Sequence, residues 1–224
     1  SAMSTFGATV VEFGRDFDAA KHEAYRVATE RGWHFVPSFH RDLVVGVATY
    51  ALELLRAVPD LDTVYVSVGM GSGICGLILV RDLLGLKTEI VGVSASKAAA
   101  TAKSFAAGRP IATDTALTFA DGIATREPNA VAIEAICKGA ARFVELSEDE
   151  IADAMRSYFD DVHQIAEGAG AAPLAALLQE RQRMANRNVA VILSGGNIER
   201  ARMLQNEAFG RAEPDLDELA TRGR

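Results

Sequence analysis

Two kinds of apolar pattern alternate along the chain: compact β-branched runs, and longer stretches in which apolar residues recur at helical spacing. ATVVEF, at 8–13, reads as a short strand. DAAKHEAYRVATERG, at 18–32, reads as an amphipathic helix with Asp18 as N-cap and Gly32 as its stop. HFVPSF is extended, and VVGVATYALELLRAV is helical and ends near Pro59. DTVYVSV is the sort of run that is buried on both faces of a sheet. The helix GICGLILVRDLLG stops at Gly85, the strand KTEIVGVS follows, and a helix runs from about Lys97 to Ala107. No period decides the structure of TFADGIATREP. NAVAIEAICKGA is helical, ARFVEL is a strand, and SEDEIADAMRSYFDDV opens with Ser147 and Glu150 at capping-box spacing. The helix APLAALLQERQRM then leads into a last strand, NVAVILSGG.

Strands alternating with helices predict an α/β fold, a mostly parallel sheet covered by helices. Ligands of such sheets sit beyond the carboxyl ends of the strands, where loops turn into helices. Two glycine-bearing turns fall there, SVGMGSGICG and LSGGN, and together they suggest one pocket.

Composition narrows the classes. The chain has 224 residues, long enough for one core plus a partial second unit. No apolar run is long enough to cross a membrane, and the N-terminus carries no signal-peptide pattern. With 23 basic against 30 acidic residues and no basic run, a nucleic-acid partner is not expected. Cys75 and Cys137 lie outside any CxxC or Cys/His cluster, which points to free thiols in a reducing cytoplasm. His22, His34, His40 and His163 form no ligand spacing, so no metal site is expected.

The candidate chemistry lies in the first glycine turn. Gly69, Gly71 and Gly73, with the amides of Met70 and Ser72 and the Ser72 hydroxyl, can converge on an anion at the start of a helix. A P-loop is excluded, because Cys75 and Gly76 stand where its lysine and hydroxyl belong. A dinucleotide site finds its GxGxxG in Gly71, Gly73 and Gly76, but Ser94 and Ser96 occupy the end of the next strand, where an acidic residue would bind ribose.

Five segments carry a resemblance to a third class. GVATYALELL, VYVSVGMGSGICG, TFADGIATREP, AEGAGAAPLAAL and VAVILSGGN resemble, in chain order, elements of the fold-type II pyridoxal-phosphate enzymes, specifically the threonine and serine dehydratase branch. The resemblance implies a tryptophan synthase β-like fold and pyridoxal 5'-phosphate as cofactor. It implies that Gly69, Met70, Gly71, Ser72 and Gly73 hold the phosphate, that Ser194 bonds the pyridine nitrogen, and that Gly122 and Glu167 lie beside the ring. It further implies β-elimination from a small hydroxy amino acid to a 2-oxo acid and ammonia by a homo-oligomeric enzyme.

One part of the pattern is missing. The family carries its cofactor as a Schiff base on a lysine in an early strand-to-helix turn, and none of Lys21, Lys87, Lys97, Lys103 and Lys138 has that setting. No catalytic residue is therefore assigned. Ser1 falls within what resembles a small-domain helix, so the expected organisation is a small-domain remnant at 1–40, a cofactor domain at 41–205 and a charged tail at 206–224. The chain is expected to be an inactive piece of a longer dehydratase. A non-catalytic cofactor-binding or assembly fragment and an NAD(P)-dependent oxidoreductase remain as alternatives.

Overall fold

The computed structural model describes residues 2–199. The expected tail at 206–224 and the last residues of the 41–205 span lie outside them. In chain order the elements are α1 (Ala2–Thr5), α2 (Phe17–Arg31), α3 (Arg41–Ala57), β1 (Thr63–Ser67), α4 (Ser72–Leu83), β2 (Glu89–Ala95), α5 (Ala100–Ala107), α6 (Ala130–Gly139), β3 (Arg142–Leu146), α7 (Glu148–Val162), α8 (Gly168–Gln179) and β4 (Val189–Val191). Single 3-10 turns occupy Ser96–Ala98 and Asp121–Ile123. Four parallel strands pair in the order β3-β2-β1-β4, with Tyr65 opposite both Val91 and Val191.

Alternation along β1 explains the two cores. Val64 and Val66 point into one, with Ile74 and Leu77 of α4, Leu55 of α3 and Ile133 of α6. Tyr65 points into the other, with Val91 and Val93 of β2, Ile151 and Met155 of α7 and Ala172 of α8. Each side chain named is buried, so β1 and β2 lose water on both faces, as their uninterrupted apolar runs require.

Helix ends follow local chemistry. Ser147 caps α7 in a reciprocal box with Glu150, the Ser147 amide donating to Glu150 at 2.8 Å and the Glu150 amide to Ser147 at 3.2 Å. Gly32 ends α2 in the left-handed conformation.

Three expectations are corrected. Residues 8–13 form no strand: among the described residues no neighbouring strand offers them a ladder, and Val11 and Phe13 stay exposed. Asp16, not Asp18, is the N-cap of α2, accepting from the Ala19 amide at 3.0 Å. The helix read as APLAALLQERQRM begins earlier, at Gly168, and stops at Gln179, where Glu180 takes the C-cap position.

Candidate functional site

The strand order defines where a site belongs. From β1 the chain winds outward through β2 to β3, then returns to place β4 on the other side of β1. The loops after β1 and β4 therefore leave the sheet side by side and diverge, opening a crevice at the switch point. A cavity of about 700 Å³ lies there, within the size range of small-molecule sites.

The eight residues singled out in the sequence meet on this cavity. Gly69, Met70, Gly71, Ser72 and Gly73 form its floor, Gly122 and Glu167 one side, and Ser194 the rim after β4. Gly71 has φ of +98°, a conformation a side chain resists, and it caps α4 without any side-chain bond. The first amides of α4, those of Ser72, Gly73 and Ile74, have no backbone acceptor among the described residues. Converging free amides at the positive end of a helix form an anion cradle. A Cβ on Gly69 would strike the Gly122 carbonyl, so main chain packs against main chain at the cradle's edge. Thr101 of α5 donates to the Gly69 carbonyl at 3.4 Å from behind.

The opposite side is polar in a different way. Glu167 precedes α8, its amide donating to the Gly195 carbonyl at 3.1 Å and its carboxylate resting where a Gly195 side chain would stand. Burial, and then the neighbouring Asp121 charge, raise its affinity for a proton above that of a free glutamate. Asp121 and Glu167 also line a smaller cavity of about 260 Å³ behind the first.

Sequence reasoning missed the wall contributed by α3. Val47, Tyr50 and Leu54 line the cavity at one-face helical spacing, and the Tyr50 hydroxyl donates to the Gly73 carbonyl at 3.2 Å. Burial pushes the Tyr50 phenol up to about 12, which keeps it a donor. Periodicity was the available signal, but it identifies a buried face without saying what lies opposite. What turns this face to the loop is the close crossing of α3 and α4, where a Cβ on Gly76 would come within 3.2 Å of Ala48.

Among the described residues, no lysine, arginine or histidine lines the cavity. Lys97 and Lys103 face a separate cleft of about 490 Å³, Lys21 pairs with Asp18, Lys138 pairs with Glu134, and Lys87 is exposed on the turn before β2.

The family described as pyridoxal-phosphate-dependent enzymes matches residues 1–195. The chain belongs to that family. Within it, the chain is 33% identical over 194 residues to the L-threonine ammonia-lyase of Thermotoga maritima, a match covering 86% of this chain and 48% of that protein. It is 35% identical over 199 residues to the L-threonine ammonia-lyase of Geobacter sulfurreducens, covering 88% and 50%. The chain thus spans about half the length of these relatives. Among solved structures it superposes on the processed form of threonine deaminase isoform 2 from Solanum lycopersicum with a TM-score of 0.85 at 27% identity, covering 93% of this chain and 62% of that one. On maize serine racemase the TM-score is 0.81 at 25% identity, covering 90% and 64%. The fold is that of the fold-type II pyridoxal-phosphate enzymes, and among the described residues no helix is long and apolar enough to cross a membrane.

The cavity fits the family's cofactor at its phosphate end. A phosphate monoester needs several fixed donors and close main-chain approach. The uncapped start of α4, the left-handed Gly71 and the side-chain-free contact at Gly69 provide both.

Proposed function

We propose that this chain is the cofactor-binding part of an ammonia-lyase acting on a small β-hydroxy amino acid, threonine or serine, to give a 2-oxo acid and ammonia. The observation that carries the reading is the meeting of the Gly69–Gly73 cradle, Gly122, Glu167 and Ser194 on one cavity at the strand switch point. The relatives named L-threonine ammonia-lyase support the reaction class.

In this reading pyridoxal phosphate, when bound, supplies the electron sink that lets the α-carbon of an amino acid lose its proton. The chain's own residues do the holding. The amides of Gly69 to Gly73 grip the phosphate, and Tyr50 fixes the peptide plane after Gly73 through that carbonyl. The Ser194 hydroxyl bonds the pyridine nitrogen without the strength to keep it protonated. Glu167 and Gly122 border the ring, and Val47 and Leu54 exclude water from the other wall. The expected division into a small-domain portion at 1–40 and a cofactor domain from 41 belongs to the same reading. So does a homo-oligomer in the cytoplasm, for which exposed Val45 on α3 and Leu83 on α4 offer apolar surface.

With no lysine on the cavity, the 224-residue chain by itself binds the cofactor without a covalent bond and turns nothing over. Titration with pyridoxal phosphate is expected to give saturable binding that borohydride does not trap, and NAD(P)H is expected not to compete. Binding of NAD(P)H in place of pyridoxal phosphate would overturn the reading. Lysine-dependent formation of 2-oxobutanoate from threonine would refute the inactivity of the chain alone.

A further inference from the structure

Helix α2 is tied to the segment that follows Gly122 through a buried carboxylate. Asp18, in the first turn of α2, is 1% exposed. A carboxylate hidden that far from water is costly unless several donors surround it. Its own helix does not need it, because Asp16 already serves as the N-cap. Asp18 instead accepts from the Lys21 ammonium at 2.6 Å and, with its other oxygen, from the backbone amides of Arg126 at 2.8 Å and Glu127 at 3.3 Å. Asp16 completes the junction from the outside, taking the Arg126 guanidinium at 2.6 and 3.1 Å.

The segment held in this way leads directly to the cavity. Arg126 stands four positions after Gly122. Between them the chain is stiff: Ile123 and Thr125 are buried, and the Ile123, Ala124 and Thr125 amides bond to Ala120, Asp121 and Ile123 carbonyls at 3.0, 3.1 and 3.0 Å. At its far end the Gly122 carbonyl occupies the space a Gly69 side chain would need, and a Cβ on Gly122 would come within 2.9 Å of the Ala169 methyl. The turn is therefore wedged between the phosphate loop and the start of α8. A shift at 126 has little room to dissipate before it reaches Gly69.

We propose that Asp18 is a positioning residue for the cofactor cavity: from α2 it anchors the backbone of Arg126 and Glu127, and the turn at 121–125, pinned by buried Ile123 and Thr125, transmits that anchor to Gly122 and the phosphate loop. This rests on the reading of the cavity as a pyridoxal-phosphate site. Asp18 touches neither cavity nor ligand, and acts only by fixing the wall that does.

The test is Asp18→Asn in the 224-residue chain, with two readouts. The first is the ratio of affinities for pyridoxal 5'-phosphate and for pyridoxal, which lacks the phosphate. The second is amide hydrogen exchange at 69–73 and 121–127. The variant is expected to lower the ratio about tenfold and to speed exchange in both segments, with the β3 and α7 amides unchanged. General destabilisation would weaken both ligands alike and would not move the ratio. Faster exchange at 121–127 with an unchanged ratio overturns the proposal. If Asp18→Asn does not fold, Asp18→Glu, which keeps the charge but lengthens the arm, is measured in its place, with a smaller fall in the ratio expected. If the parent chain binds neither ligand, the cofactor reading has failed by itself. Exchange at 69–73 then decides the linkage: faster in the variant supports it, and unchanged removes it.

Discussion

The two ends of the sheet treat their polar groups in opposite ways. At the amino end, Arg142 of β3 bonds Glu180 after α8 at 2.6 Å and Glu89 of β2 at 2.7 Å, and also meets the Tyr65 hydroxyl of β1, which itself donates to Glu180. Three strands and a helix are joined there by one closed network. Glu180, held below the ordinary glutamate range by Arg142 and Tyr65 against the effect of burial, has its charge satisfied. At the carboxyl end the amides at the start of α4 have no backbone acceptor among the described residues, Gly71 offers its helix no side-chain cap, and Glu167 is pushed toward its neutral form. A closed network contributes stability, whereas open donors and a perturbed carboxyl cost some and remain available to a ligand.

The contrast is tested first where main chain meets main chain. Gly69→Val drives a side chain into the Gly122 carbonyl, and pyridoxal-phosphate affinity is expected to fall by at least about 100-fold in a fluorescence titration. At the other end, Arg142→Ala strands Glu180 and Glu89. Chemical denaturation should show a loss of about 2 kcal/mol with cofactor affinity unchanged, and a parallel loss of affinity would erase the distinction between the two ends. Ser194→Ala is expected to weaken cofactor binding about tenfold while the melting curve stays in place.

The smallest effect concerns Glu167. Its folded-state pKa is raised, so the folded protein holds this proton more tightly than the unfolded chain does. The penalty for ionising it is absent at low pH and grows as pH rises above the unfolded value of 4.5. Glu167→Gln should therefore stabilise the ligand-free chain by a fraction of a kcal/mol at neutral pH, and not at pH 4. Equal melting temperatures at both pH values would show that the carboxyl is as relaxed as those at the opposite end.

The carboxyl-end half of this contrast was legible in the sequence, because it is carried by local signals, whereas Arg142 meets Glu180 and Glu89 only once the sheet is assembled. The β-branched run before a glycine turn specifies β1 and the cradle together, and Ser147 with Glu150 specifies the start of α7. ATVVEF misleads because strand character needs a partner as well as a pattern, and the described chain gives it none. Asp18 misleads because Asp16, two residues earlier, reaches the helix amides first and frees Asp18 for a contact 108 positions away. Tyr50 stays hidden for a related reason: its position on a helix face is periodic, but its proximity to Gly73 exists only after α3 crosses α4.

The contact of Gly69 with Gly122 has a counterpart where α8 meets the turn after β4, since a Cβ on Gly170 would strike the Gly195 carbonyl. At Gly69, Gly71, Gly73 and Gly122 the surface presented to a ligand is peptide backbone, whose shape is common to every sequence able to keep glycine there. Such a surface can be lost by mutation but is hard to tune. Variation in what the crevice accepts has more room on α3, where Val47, Tyr50 and Leu54 are ordinary side chains open to exchange. One wall acts as a fixed template and the other as the adjustable part, so redesign of ligand preference has its natural starting point at Tyr50.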